Sequence, residues 1–268
     1  MQRDLNFSLR VKSVGPTLGS TMARLILSFL GPFQAALDGQ SVAGFESNKV
    51  RALLAFLVVE VSRPHARETV AALLWPDHHN HAALDSLRSA LANLRRVIGD
   101  QTADPPFLLI TRDTIRFNPA ADYQLDVAEL EAGAGRPVEQ MEQMFDKGGD
   151  FLEGFALPNS APFEEWLLGR RERFRRKTLD GLGRLAQHYE SRADLERAIE
   201  CARRQLELEA WDEAAHRRLM RLLALSDRRG QALAQYEACR RALREELGVA
   251  PAQETTRLYE RIRDETLS

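Results

Sequence analysis

The chain has 268 residues, of which 44% are hydrophobic and 28% are charged, a composition typical of ordinary globular proteins. Its length suits two domains, and its apolar runs are shorter than the roughly 20 residues that a membrane helix needs, which argues against a membrane protein. The formal net charge is −2 and the pI is near 6.3, which excludes a nucleic-acid binder that relies on a strongly basic overall charge.

Residues 1–21 precede the first regular pattern. They contain Gly, Pro, Ser and Thr without a helical period and lack a long apolar segment, so we expect a disordered tail and no signal peptide. The first strong pattern opens at Met22, and translation from that residue is an alternative start. Cys201 and Cys239 are far apart in helical surroundings, which suits buried, reduced thiols in a cytoplasmic protein.

Residues 22–118 predict a small domain of strands, three helices and a hairpin. The segment 24–37 mixes β-type residues with an apolar run that Gly31-Pro32 interrupts, which indicates two or three short strands. Apolar residues at helical spacing then predict a helix from Asn48 to about Ser62 and a short helix from Glu68 to Leu74.

The third helix, residues 81–98, has the clearest amphipathic pattern. Its apolar stripe consists of Leu84, Leu87, Leu91, Leu94 and Ile98. Its polar face carries arginine, serine and asparagine side chains, which can bind guanine or adenine edges and phosphates. Just before it stand His78, His79 and His81. Their spacing matches no standard zinc pattern, so we expect a polar loop, with a metal site as the alternative.

A β-hairpin is predicted over residues 107–118, because polarity alternates there around the turn Arg112-Asp113-Thr114. Three helices followed by a hairpin form a winged helix-turn-helix, in which the third helix enters the major groove and the hairpin reaches the flanking DNA. The domain holds ten Lys and Arg residues against nine Asp and Glu residues. One copy should therefore bind modestly, which favours a homodimer or tandem sites.

These patterns define candidate contacts to double-stranded DNA. The candidates for reading bases are Arg88, Ser89, Asn93 and Arg96. The candidates for the DNA backbone are Lys49, Arg51, Arg95, Arg112 and Arg116. Lys49 and Arg51 stand in the first turn of their helix, where cations oppose the helix dipole. A contact with phosphate would explain this placement, and a solvated surface position is the alternative for Lys49 and Arg51. A solvated strand face is likewise the alternative for Arg112 and Arg116.

Residues 119–268 predict a second, helical domain. Helices over 122–135 and 137–147 lead into a Gly- and Pro-rich loop over 148–166. We expect Phe151, Phe155 and Phe163 of this loop in the core, with a ligand pocket as the alternative. From Glu164 the chain is helical almost to its end. The breaks fall near residues 191–194, 210–212, 226–230 and 248–251.

A repeat is visible in this helical half. Shifting the sequence by 34 residues aligns Leu185 with Leu219, Tyr189 with Leu223 and Ala198 with Ala232, which is the tetratricopeptide period. The predicted fold is therefore mainly α with a small β component, a winged helix-turn-helix followed by a tetratricopeptide-like helical repeat domain. Such stacks leave a concave surface for a partner.

Six cations are concentrated in one part of this helical half. They are Arg170, Arg171, Arg173, Arg175, Arg176 and Lys177. On a helix they spread around most of the circumference, so we expect a solvated helix, with a supplementary contact to DNA or to an acidic partner as the alternative. The chain lacks a phosphate-binding loop, a Gly-x-Ser-x-Gly elbow and a His-Glu-x-x-His pair. We therefore predict neither an enzyme nor a cofactor or metal.

Several segments resemble a known family. LSFLGPFQAALDGQ, NKVRALLAFLV, VAALLWPD and LRSALANLRRVIG resemble, in order and spacing, the OmpR-type winged-helix domain of bacterial regulators such as the Streptomyces antibiotic regulatory proteins. QALAQYEACRRALREELGVAP resembles their bacterial transcriptional activator domain. The chain departs from the family pattern at three positions of this helix. Relatives often have His or Val where this chain has Ser89 and Ala90, and they commonly have Arg where it has Asn93. These departures leave the target DNA sequence open.

The resemblance covers roughly residues 24–265. It implies a sequence-specific transcriptional activator that binds promoter repeats and contacts RNA polymerase or a sigma factor, with the second domain mediating self-association and polymerase contact. The near-neutral first domain leaves an alternative: a tetratricopeptide-like interaction module, or the N-terminal regulatory fragment of a larger regulator, with weak or no DNA affinity.

Overall fold

The computed structural model of the protein describes residues 23–132, 142, 145 and 149–266. The predicted tail over 1–21 and almost all of the predicted helix over 137–147 lie outside the described residues. The strands are β1 (Leu25–Ser28), β2 (Gln34–Leu37), β3 (Gln40–Ser41), β4 (His65–Ala66), β5 (Leu108–Ile110), β6 (Thr114–Phe117) and β7 (Tyr123–Leu125). The helices are α1 (Asn48–Val59), α2 (Arg67–Leu74), α3 (Asn80–Val97), α4 (Asp126–Ala132), α5 (Ala161–Ser191), α6 (Leu195–Leu208), α7 (Glu213–Leu225), α8 (Arg229–Leu247) and α9 (Gln253–Arg263). The mainly helical fold with a small β component is confirmed.

The first sheet has the strand order β3-β2-β1-β7. β1 and β2 pair antiparallel after the break at Gly31-Pro32, and β2 turns into β3 through Asp38 and Gly39, both of which have positive φ. Glycine and aspartate tolerate that left-handed conformation better than most residues do. β7 adds to the other edge, parallel to β1. It lies beyond residue 118, so the division into two domains at 118/119 stays a prediction.

The core of the N-terminal part is built around α1. Every residue from Ala52 to Val58 is buried, because this helix is covered on several sides and not on one face alone. α3 buries its predicted stripe at Leu87, Leu91, Leu94 and Ile98. β4, β6 and β5 form the second sheet, in that order, and β5 and β6 are the predicted hairpin. We call residues 23–125 the winged unit.

Residues 161–263 form a stack of helices, which we call the repeat stack. Residues 185, 189, 198, 219, 223 and 232, aligned by the 34-residue shift, are all buried. Asp212 accepts backbone hydrogen bonds at the start of α7, and Gly248, with φ of +69°, ends α8. Cys201 and Cys239 are buried and are not joined in a disulfide bond. No helix in the described part of the chain is long and apolar enough to cross a membrane.

The segment from 149 to 166 joins the winged unit to the repeat stack. Phe151, Phe155 and Phe163 are buried, as predicted. The Leu152 amide donates to the Phe29 carbonyl at 2.7 Å, and the Trp166 ring packs edge-on against Phe56 at 5.4 Å. The aromatic contacts leave a cavity of about 80 Å³ beside Phe151. One continuous hydrophobic core therefore runs from the winged unit into the stack.

Candidate nucleic-acid interface

The outer face of α3 presents one exposed stripe. Residues 85, 88, 89, 92 and 96 recur at steps of three and four, so they lie along the same side of the helix. The side chains of Arg88 and Arg96 are 72% and 63% exposed, and Ser89 is also exposed. At 1.5 Å per residue the two arginines are about 12 Å apart along the axis, which corresponds to three or four base steps. The stripe can thus span the contacts of one half-site.

Each arginine predicted on α3 has an acidic neighbour. A guanidinium nitrogen of Arg88 lies 2.7 Å from the Asp85 carboxylate, and Arg96 lies 3.2 Å from Glu46. Arg95 donates to the buried Asp100, which also accepts the Leu108 amide. These carboxylates explain the near-neutral charge of the winged unit. DNA binding would require Arg88 and Arg96 to exchange a carboxylate for a base or a phosphate.

The prediction that Asn93 reads a base conflicts with its position. The side chain is 3% exposed, donates to the Gly44 carbonyl at 3.2 Å and accepts the Glu46 amide at 3.2 Å. Asn93 therefore fixes the loop between β3 and α1 against α3. The polar residue faces inward because this loop covers the edge of the helix and supplies both hydrogen-bonding partners. Asn93 is better described as a positioning residue.

The two cations of α1 pack partly against aromatic rings. The Lys49 ammonium lies 5.2 Å from the centre of the Trp75 ring, and the Arg51 guanidinium lies 5.5 Å from that of Phe45. Burial lowers the pKa of Lys49, an effect that the charge of Asp77 opposes. Arg51 donates to the Asn48 side chain at 2.7 Å. Both cations are partly buried. Their side chains are therefore held in one orientation and could contact only a phosphate that comes close to the start of α1.

The hairpin places its two arginines in different environments. Arg112 is exposed in the turn between β5 and β6, and no described residue forms a hydrogen bond or ion pair with its side chain. Arg116 is turned inward instead. Its guanidinium donates to the carbonyls of Val61 and Ser62, beyond the end of α1, at 3.0 and 3.2 Å. These hydrogen bonds attach the wing to α1, and a DNA-backbone contact from Arg116 stays a prediction.

The sequence reasoning missed two groups near this surface: Ala92, which is exposed, and Arg67, which is partly buried. Ala92 lies between Ser89 and Arg96 on the stripe and is exposed, and a methyl group at such a position can contact a thymine methyl. Arg67 donates to the Thr111 carbonyl at 3.4 Å, next to the turn of the wing. The helical period of α3 could have identified Ala92. The contact of Arg67 depends on the pairing of β4 with β6, which no local pattern predicts.

The histidines before α3 make local contacts. A ring nitrogen of His81 lies 3.1 Å from Asp85, and one of His78 lies 3.4 Å from the Ser86 hydroxyl. Among the described residues, no three His, Cys, Asp or Glu side chains form a group that could hold a metal ion.

The six cations at 170–177 are largely engaged within the protein. Arg170 pairs with Glu60, and Arg171 donates to the carbonyls of Phe151, Leu152 and Phe155. Arg173 pairs with Glu131. These contacts attach α5 to the winged unit, to the 149–166 segment and to α4. Three of the six cations therefore have a structural role.

A family model for the bacterial transcriptional activator domain matches residues 120–263, more than half of the chain. The chain belongs to this family. Two mycobacterial relatives, the transcriptional regulatory protein EmbR of Mycobacterium tuberculosis and of Mycobacterium bovis, are each 28% identical over 262 residues. The alignment covers 89% of the chain and 63% of each relative. The regulatory protein AfsR of Streptomyces griseus is 28% identical over 276 residues, with 98% of the chain and 27% of AfsR covered.

A solved structure shares the fold of this family member. It is Mycobacterium tuberculosis EmbR in complex with a low-affinity phosphopeptide, with a TM-score of 0.67 at 24% sequence identity. The match covers 91% of the chain and 66% of the solved chain. The family member described here therefore spans about two thirds of the length of its mycobacterial relatives. The winged helix-turn-helix followed by helical repeats is the shared architecture.

Proposed function

We propose that the protein is a sequence-specific, DNA-binding transcriptional regulator that acts as an activator. The observation that carries the proposal is the exposed stripe of α3, with Arg88, Ser89 and Arg96 on the third helix of a winged unit. In this fold the third helix enters the major groove. The relatives named above are regulatory proteins, which supports a regulatory role and not a catalytic one.

Arg88 and Ser89 are the residues that we assign to base edges, with Arg96 beside them. An arginine can donate two hydrogen bonds to guanine, which few other side chains can do. Lys49, Arg51, Arg95 and Arg112 are assigned to phosphates. If α3 lies in the major groove, the orientation of the winged unit on the DNA is also set. The turn at Arg112 would then contact the DNA that flanks the half-site.

The balance of charge on the winged unit favours binding by more than one copy. Since Asp85, Glu46 and Asp100 neutralise the arginines of α3, one unit gains little from the phosphate charge. We propose that a homodimer assembles on promoter repeats, where two linked contacts raise the effective affinity. Sedimentation velocity with duplexes that carry one or two half-sites tests whether this dimer forms.

RNA polymerase or a sigma factor is the proposed partner of the repeat stack.

A gel shift with the DNA upstream of the protein's own gene tests the proposal. We expect a complex that resists non-specific competitor DNA and that weakens as the salt concentration rises from about 50 to 200 mM, because counterions compete with the protein. A complex that competitor removes entirely would refute sequence-specific binding. The Arg88→Ala variant should bind the specific duplex more weakly, whereas Arg240→Ala, on helix α8 of the repeat stack, should bind it as the parent does.

A second candidate function is a protein-interaction module with weak or no DNA affinity. The pairing of Arg88 with Asp85 and of Arg96 with Glu46 favours it, since both arginines already have partners. The gel shift distinguishes the two functions, because an interaction module would give no sequence-preferring complex at either salt concentration.

A further inference from the structure

An arginine-rich groove lies between α7 and α9 of the repeat stack. Its volume is about 480 Å³. Its charged lining consists of Arg217, Arg218, Arg221, Arg257, Arg261 and Glu254. The methyl group of Ala214 and the side chain of Leu258 complete the lining. We call this surface the arginine groove.

The helical period explains why these side chains meet. On α7 the lining positions are 214, 217, 218 and 221, and on α9 they are 254, 257, 258 and 261. Each set recurs at steps of three and four, so each helix contributes one stripe. Because α7, α8 and α9 form consecutive helical hairpins, α7 and α9 lie side by side and in contact. The two stripes therefore form opposite walls.

Contacts within the stack hold the three arginines of α7. Arg217 donates to the Thr255 hydroxyl at 3.1 Å and lies 3.4 Å from the Glu254 carboxylate. Arg218 donates to the Gln205 side chain at 2.9 Å. Arg221 lies 2.6 Å from Glu190. These contacts orient one wall of the groove.

The opposite wall carries two arginines without such contacts. Arg257 and Arg261 are exposed, and neither guanidinium forms an ion pair or a hydrogen bond with any residue that the structure describes. They stand four residues apart on α9, where like charges repel each other and weaken a helix slightly. Arg261 also lies in the last turn of α9, where a cation suits the helix dipole. The two residues together leave two exposed guanidinium groups facing a groove that is already positive.

We propose that the arginine groove is a docking site for an acidic segment of a partner protein, with carboxylates on either side of an apolar residue. Guanidinium groups match the planar geometry of carboxylates. The ion pair between Arg217 and Glu254 is an example of this pairing within the groove. The apolar lining at Ala214 and Leu258 favours a protein segment over the phosphate backbone of DNA. The proposal names the chemistry of a partner and does not depend on the DNA-binding assignment of α3.

Fluorescence anisotropy with the full chain tests the groove. The probe is a fluorescein-labelled peptide of three Asp-Leu-Glu-Glu repeats, and its neutral counterpart has three Asn-Leu-Gln-Gln repeats. We expect the acidic peptide to bind, the neutral peptide not to bind, and the complex to weaken with added salt, because the charges are exposed.

Paired variants locate the binding. The double variant Arg257→Gln, Arg261→Gln should bind the acidic peptide roughly tenfold more weakly, given the typical strength of two exposed ion pairs. The double variant Arg241→Gln, Arg244→Gln removes the same charge from exposed positions of α8, outside the groove, and should bind as the parent does. Circular dichroism establishes that both variants are folded.

Two results would overturn the proposal. One is equal binding of the acidic peptide to both double variants, which would make the attraction non-specific. The other concerns the double variant Arg257→Gln, Arg261→Gln. If it bound the acidic peptide as the parent does but no longer bound a DNA duplex, the groove would be a DNA-binding surface. Loss of DNA binding through Arg88→Ala, with the peptide complex retained, would leave the two proposals separate.

Discussion

Replacing Asp85 with Asn should strengthen DNA binding. The Asp85 carboxylate lies 2.7 Å from Arg88, is about half exposed and stands on the stripe assigned to DNA. If a DNA phosphate lies about 8 Å from this carboxylate and the effective dielectric constant is between about 20 and 80, the repulsion between them costs roughly 0.5–2 kcal/mol. The variant should therefore bind a duplex about 2- to 30-fold more tightly at low salt. Its folding stability should change by less than about 1 kcal/mol, since exposed ion pairs contribute little.

Fluorescence anisotropy at low and at physiological salt measures this effect, and the chain offers a matched control. Glu237 pairs with Arg240 on α8 at 2.8 Å, also three residues apart and with similar exposure. Glu237→Gln should leave DNA affinity nearly unchanged. Equal gains from both variants would show that only net charge matters. A weaker complex for Asp85→Asn would mean that Asp85 itself contacts a base, which would refute our account of this carboxylate.

Further predictions concern stability and the wing. Asn93→Ala should lower the free energy of unfolding by about 1–3 kcal/mol, because two buried hydrogen bonds are lost, and urea denaturation measures it. Arg112→Ala should weaken DNA binding without changing the melting temperature, whereas Arg116→Ala should lower the melting temperature. His216 is buried, and its burial lowers its pKa below 6.5, although the Ala210 carbonyl and nearby carboxylates oppose the shift. The unfolded state therefore binds the extra proton first, so stability should fall as pH decreases from about 7.5 to 5.5. His216→Gln should reduce this dependence in the same denaturation assay.

Local sequence signals predicted most elements of the fold. α3 was expected over 81–98 and spans Asn80–Val97, and the hairpin with its turn at Arg112 also agrees. Hydrophobic periodicity depends on neighbouring residues, so it places helix faces well. It was wrong at the start of the helix predicted over 122–135, because residues 123–125 form β7, whose partner β1 lies almost 100 residues earlier. It also gave no sign that Phe151 inserts beside Leu30. Those contacts depend on the fold as a whole.

The same distinction applies to the candidate site. The exposed positions of Arg88 and Arg96 follow from the period of α3. The roles of Asn93 and Arg116 do not, because each is determined by a loop or helix end that packs over it from elsewhere in the chain. A polar residue beside an apolar stripe has two outcomes: it faces solvent, or it binds the backbone of a covering segment. The sequence alone offers no means of choosing between them.

Selection of bound sequences from a random pool of DNA duplexes tests the central claim most directly. We predict that the protein enriches a repeated half-site and that Arg88→Ala relaxes the preference at one base position of that site, at a cost of about 1–3 kcal/mol. A uniform loss across all sequences would make Arg88 a phosphate contact. A bound pool as random as the starting pool would contradict the claim that α3 reads DNA.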